Sequence, residues 1–120
     1  MTSSLPTIIS EYFAAAARGD VDVIVAYFAN DAIVIDEDQE WHGHAGIRRW
    51  RTLVANVYEY TVEVRRAVDR GDIDGVERHD VYTRLEGNFP GGTVDLTNRF
   101  GLRDGRITLL EIVPTQGAES

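Results

Sequence analysis

Residues 27–38 read YFANDAIVIDED: two aromatics, an Asn-Asp pair, a short apolar run and an acidic end. Asn30-Asp31 carries turn chemistry, because both side chains bond their own backbone and tolerate tight conformations. The run Ala32–Asp36 is then a short, largely buried strand. Its last residue is a carboxylate, which a strand ending inside the protein would carry into apolar surroundings.

The same period logic extends in both directions. Upstream, Ser3 or Ser4 is placed to cap a first helix with Pro6 in its opening turn, and Ile8, Ile9, Tyr12, Phe13 and Ala16 recur at helical spacing. Gly19 ends that helix, and Asp20 caps a second one carrying Val21, Ile24, Val25 and Phe28. Downstream, a polar loop Glu37–Glu40 leads to Trp41-His42-Gly43. From about His44 a third helix presents Ile47, Trp50, Val54 and Val57 on one face, with Arg48, Arg49 and Arg51 largely on another.

Beyond Tyr58 the period changes to two. Val62, Val64 and Val68 alternate with polar positions until Arg70-Gly71-Asp72, where the strand is expected to break. Strands are expected at about Val76–Glu86, Thr93–Arg103 and Arg106–Val113, the last two joined by Asp104-Gly105, a strong hairpin signal. Helices gathered before a run of antiparallel strands indicate an α+β fold, with three N-terminal helices packed on a curved, mostly antiparallel sheet. Residues 1–114 read as a single domain and Thr115–Ser120 as a disordered tail.

Composition narrows the function. The 120 residues include no cysteine and three histidines, His42, His44 and His79. Thiolate chemistry is excluded and no structural zinc site is expected. Twenty acidic against twelve basic residues give a net charge of −8, which repels phosphate backbones and anionic lipid at long range. Neither nucleic acid nor a membrane is therefore expected as a partner. The start MTSSLPTIISEYF lacks the basic and apolar regions of a secretory signal, so the chain reads as cytoplasmic.

Three segments, ARGDVDVIVAYFANDAIVID (17–36), WHGHAGI (41–47) and FGLRDGRITLLEI (100–112), resemble the nuclear transport factor 2-like superfamily in its SnoaL-like and ketosteroid-isomerase-like branch. The resemblance covers nearly the whole chain. It implies a cone-shaped barrel enclosing a pocket, a fold that hosts enzymes, ligand binders and interaction modules alike. In the ketosteroid-isomerase-like enzymes an aspartate at the end of the first strand moves a proton, while a tyrosine and an acid stabilise the enolate oxygen. By that resemblance Asp36 is the base, Tyr12 the tyrosine, and Asn98 stands where the acid would be. A neutral amide still donates, though more weakly than the protonated carboxyl of ketosteroid isomerase.

The residues themselves agree in part. Val94, Leu96, Phe100 and Leu102 form the apolar face of their strand, with Asn98 its polar member. Tyr12 shares the apolar stripe of its helix, so its hydroxyl either points into the pocket or is satisfied by backbone. Asn98 and Tyr12 bonding each other or a water is the bland alternative, and an exposed-loop aspartate is the bland reading of Asp36.

A second constellation competes. Glu77-Arg78-His79-Asp80-Val81 resembles the catalytic strand of limonene-type epoxide hydrolases, in which an Arg-Asp pair and a further aspartate activate water. Arg78 and Asp80 match the pair; the position of the further aspartate falls on Ile112. Strand parity separates the two readings, since Arg78, Asp80, Tyr82 and Arg84 face one way and His79, Val81, Thr83 and Leu85 the other. The hydrophobic pattern turns the second set inward and makes His79 a pocket residue; the epoxide-hydrolase resemblance turns the first set inward.

His42 and His44 do not converge on a metal, and Trp41 and Trp50 read as core or pocket wall. The expected protein is thus a cofactor-independent acid-base enzyme of isomerase or cyclase type acting on a small hydrophobic carbonyl compound. Asp36, Tyr12 and Asn98 would be catalytic, and His79, Trp41, Trp50 and Phe100 would line the substrate. A homodimer is expected through the outer sheet face, because Leu109 and Val113 lie opposite Leu110 and Ile112. The alternatives are the epoxide hydrolase and a catalytically silent ligand-binding or dimerisation module.

Overall fold

The computed structural model describes residues 5–115. Helix α1 spans Thr7–Arg18, α2 Val21–Ala26 and α3 Gly43–Leu53, with a 3₁₀ turn at Ala55–Val57. Six strands follow the chain order β1 Phe28–Asp36, β2 Gln39–His42, β3 Tyr60–Ile73, β4 Val76–Gly87, β5 Thr93–Arg103 and β6 Arg106–Pro114. They form one sheet in the order β2-β1-β6-β5-β4-β3, in which only β1 and β6 run parallel. The three helices pack against this sheet, as the α+β reading requires. The sheet curls into a cone without closing into a barrel: β2 and β3 remain its two edges.

Local chemistry explains most boundaries. Gly19 adopts φ +70° and closes α1 by donating to Ala16 O, while Asp20 accepts from Val23 N at 3.5 Å to start α2. The Ser3 and Ser4 cap lies outside the described residues; within them Pro6 stands at the N-cap, its carbonyl accepting from Ile9 and Ser10. Thr115, expected in the disordered tail, donates its backbone N–H to Asp95 O.

Three expectations change. Asn30-Asp31 does not turn the chain but lies within β1, where the register against β6 shifts between Phe28 and Ile33. The loop 37–40 is tighter than expected: Glu37 and Asp38 both have positive φ, 54° and 64°, and Asp36 pairs directly with Gln39. Such two-residue turns match the twist of the flanking strands. Nor does β3 break at Arg70-Gly71-Asp72, because Gly71 at φ +81° absorbs a bulge between Asp69 and Gly71 and pairing with β4 resumes.

The core lies between the helices and the concave sheet face. Ile9, Ala15, Ile24, Phe28, Ala32, Val34, Ile47, Val81, Ile107 and Leu110 are fully buried, and each larger aliphatic or aromatic member contributes about 1.5–3 kcal/mol by leaving water. Tyr12, Phe13 and Phe100 meet edge-to-face with centroids 5.3–5.8 Å apart, fixing α1 on β5. No helix among the described residues is long and apolar enough to cross a membrane.

Candidate functional site

Where α1 and α3 leave the inner face of β4, β5 and β6 uncovered, a cavity of about 790 Å³ remains, within the range that holds a small organic ligand. Its apolar wall includes Phe13, Val62, Leu85, Val94, Leu96 and Ile112, and its rim carries the exposed Leu53, Val57 and Tyr58. Strand parity follows the hydrophobic pattern: Thr83, Leu85, Leu96 and Asn98 line the cavity, so Arg78 and Asp80 occupy the opposite face. There Asp80 pairs with Arg70 at 2.9 Å. The Arg78–Asp80 arrangement of the epoxide hydrolases is therefore not assembled in the cavity.

Asp36 enters the cavity from the end of β1, held by the turn that follows it and by parallel pairing with Ile112. Trp50, 1 % exposed, donates from Nε1 to Asp36 Oδ2 at 2.9 Å. Burial pushes the Asp36 carboxyl above the ordinary aspartate range; the Trp50 bond and the charge of Arg51 pull the other way without prevailing. Tyr12 lines the same cavity at 3 % exposure. Its burial raises the phenol well above the usual tyrosine value, against the opposing influence of Arg51. Tyr12 therefore keeps its proton at neutral pH.

Asn98 is also at the cavity, 4 % exposed, but its amide is engaged. Nδ2 donates to Val81 O and to Thr83 Oγ1, each at 3.0 Å. Val81 O can only accept, which fixes the amide orientation and engages both N–H groups within the protein. Asn98, expected as an oxyanion donor, thus has its amide protons directed at Val81 O and Thr83 Oγ1. The Thr83 hydroxyl, accepting from Asn98, keeps its own proton to donate.

The structure brings Asp36, Tyr12, Asn98 and Trp50 around one cavity and leaves three expected pocket residues elsewhere. Phe100, 1 % exposed, is covered by Tyr12 and Phe13 of α1. His79 pairs with Phe100 across β4 and β5 and bonds Glu77 Oε2 at 2.9 Å. Trp41 packs against the core and α3, with Gly46 in close approach to its backbone. Phe100 and His79 share the inner face that periodicity assigned, but the part of it they occupy lies outside the cavity lining, with α1 over Phe100. His42 bonds Glu40 and His44 the carbonyl of Phe28, and no metal-holding group occurs among the described residues.

The residue that pattern reading misplaced is Arg51. Expected on the polar face of α3, it is 2 % exposed and lines the cavity. Its Nη2 donates to Ala16 O at 3.2 Å, Asn56 Oδ1 at 2.6 Å and Tyr60 Oη at 3.1 Å. The available signal was its position four after Ile47 and beside Trp50, on the flank of the apolar stripe.

Residues 9–110 match the family of SnoaL-like domains. A candidate polyketide cyclase from Sinorhizobium meliloti is 36 % identical, with 91 % of this chain and 95 % of that one covered and a TM-score of 0.79. A Catenulispora acidiphila protein of ketosteroid isomerase-like fold, solved with trimethylamine, is 16 % identical over 93 % of this chain and 88 % of that one, at a TM-score of 0.78. The canthaxanthin-binding Orange Carotenoid Protein of an Anabaena (Nostoc) species superimposes at a TM-score of 0.83 with 17 % identity, over 99 % of this chain but only 38 % of that one. These last two likenesses speak to the fold alone. No curated protein matches by sequence.

Proposed function

The chain belongs to the SnoaL-like domain family, and we propose that it is a cofactor-independent acid-base enzyme, of isomerase or cyclase type, acting on a small hydrophobic carbonyl compound. Asp36 removes a proton from the carbon beside the carbonyl and returns it at the product position. Tyr12 donates to the carbonyl oxygen as it becomes an enolate, with the Thr83 hydroxyl as a second donor. The apolar wall excludes water and selects an apolar body.

What carries this reading is one observation: a carboxylate oriented by a buried indole and raised in pKa by burial lines the same, mostly apolar cavity as a protonated phenol. A pKa moved upward suits a base working near neutral pH. The 36 % identical candidate polyketide cyclase supports the same reaction class.

Exchange in D2O tests the proposal without knowledge of the substrate. A panel of enolisable apolar ketones and β-dicarbonyl compounds is followed by NMR for deuterium uptake at the carbon beside the carbonyl. The protein should accelerate exchange of at least one compound, and Asp36→Asn should slow it by about 10²-fold or more. Equal exchange by wild type and variant would remove Asp36 as the base. The engaged amide of Asn98 favours a second reading, a ligand-binding module without turnover, which predicts saturable binding of such compounds and no exchange.

We also propose a homodimer through the outer sheet face, where Leu109 and Val113 are half-buried in the single chain. Covering them would complete the burial of a strand apolar on both sides.

A further inference from the structure

Arg51 is the feature that the proposed chemistry leaves unexplained. A guanidinium that is 2 % exposed has lost its hydration, and such a charge is normally neutralised by a carboxylate. Arg51 forms no ion pair among the described residues. Its partners are all neutral: Nη2 donates to a carbonyl, an amide and the Tyr60 phenol, the Tyr12 phenol is a further hydrogen-bond partner, and Nε is buried with no acceptor.

The surroundings hold the group in place without satisfying it. Ala16 O lies at the C-terminal end of α1, where the helix carbonyls carry partial negative charge. Asn56 is itself clamped, donating from Nδ2 to Gly19 O at 3.0 Å. The side chain lies against the Trp50 ring, its Cζ 5.2 Å from the centroid. It is a rigid, preorganised cation.

Among the described residues that line the cavity Arg51 is the only cation, and the other charged groups are Asp36, Glu37 and Asp38. Arg51 pulls the Asp36 carboxyl downward yet forms no ion pair with it, and both groups line the same cavity. A planar fork of N–H donors at one side of an apolar chamber matches an oxygen that carries negative charge.

We propose that Arg51 is the anion subsite of the cavity, and that its ligand is an apolar molecule with an acidic oxygen, a carboxylate or an enol ionised at neutral pH. The oxygen sits on the guanidinium and the hydrocarbon body lies against Val62, Leu85 and Leu96. The inference rests on the acid-base reading only for turnover: there, Arg51 orients the substrate toward Asp36 and joins Tyr12 in stabilising the enolate. Binding of the acid does not depend on Asp36 at all.

Calorimetry with 2-naphthoate and its neutral isostere 2-naphthamide tests this. Wild type should bind the acid at least about tenfold more tightly than the amide, the scale of a charge-assisted hydrogen bond. Arg51→Gln should erase that preference while amide affinity stays within about threefold, and Arg51→Lys should restore part of it. Because Arg51 ties α1 to α3, a wild-type measurement covers the case of a variant that fails to fold: naphthoate, and not naphthamide, should shift the Arg51 Nε–Hε resonance. Absence of acid binding in wild type, equal affinity for the two probes, or an Arg51 resonance unmoved by bound naphthoate would each overturn the proposal. Asp36→Asn should keep the acid preference. Absence of proton exchange by wild type, with its acid preference intact, then sinks the acid-base reading alone, and exchange by wild type without any acid preference sinks the anion subsite alone.

Discussion

Trp50 Nε1 donates to Asp36 Oδ2 at 2.9 Å, so the middle of α3 sets the orientation of the carboxylate at the end of β1. The bond favours the charged form and partly offsets the burial that raises the pKa. Trp50→Phe removes the donor and keeps most of the ring volume. NMR titration should show the Asp36 pKa moving higher still, and the acidic limb of any pH–rate profile should move upward with it. An unchanged Asp36 titration would show that the indole does not tune the carboxylate.

Asp36 itself should cost stability at neutral pH. Its folded pKa lies above the ordinary 3.8, so the folded state holds the proton more tightly than the unfolded chain. The stabilisation is fully present below the unfolded pKa and is lost as pH rises through the folded value. Asp36→Asn has no charge to bury. Its melting temperature should exceed that of wild type near neutrality, with the gap closing as the pH falls below the ordinary aspartate pKa. A variant less stable at neutral pH would contradict the burial argument.

Tyr12 stays protonated because its burial outweighs the pull of Arg51. Tyr12→Phe should therefore lower the exchange rate by about tenfold to a hundredfold, the loss of one oxyanion donor. It should not shift the basic limb of the pH profile. A shifted basic limb would mean that Tyr12 titrates as an acid, contrary to its environment.

Asn98 is expected to matter more for folding than for chemistry. Asn98→Ala frees the Thr83 hydroxyl and removes a bond to Val81 O, which should cost about 1–3 kcal/mol in denaturant unfolding. Exchange activity in the folded fraction should fall by less than about tenfold, below the loss of a direct oxyanion donor. A far larger loss of rate at unchanged stability would restore Asn98 as a direct donor.

The outer sheet face offers a separate test. Light scattering at micromolar concentration should give the mass of two chains, and Leu109→Lys, at a position outside the cavity lining, should convert it to one by placing a charge in the interface. A wild-type monomer whose melting does not depend on concentration would remove the dimer.

Much of this was legible before folding because it is local. The positive-φ demand of Gly19, the hairpin at Asp104-Gly105 and the alternation of His79, Val81 and Thr83 each depend on a few neighbouring residues, and side-chain period fixes a face without reference to the rest of the chain. The strand-end position of Asp36 was legible for the same reason. Tertiary structure decided which parts of the inner face would be open. Phe100 and His79 share a face with cavity residues, yet Tyr12 and Phe13 cover Phe100, because the reach of α1 over the sheet is a long-range property. Asn98 looked like a free donor until β4 placed Val81 O and Thr83 Oγ1 beside its amide. Arg51 looked like one more surface arginine of α3, and only the approach of α1, Asn56 and Tyr60 turned it into a buried cation. Helical period says where a side chain points; contacts between segments distant in sequence decide whether it meets water, protein or an open cavity.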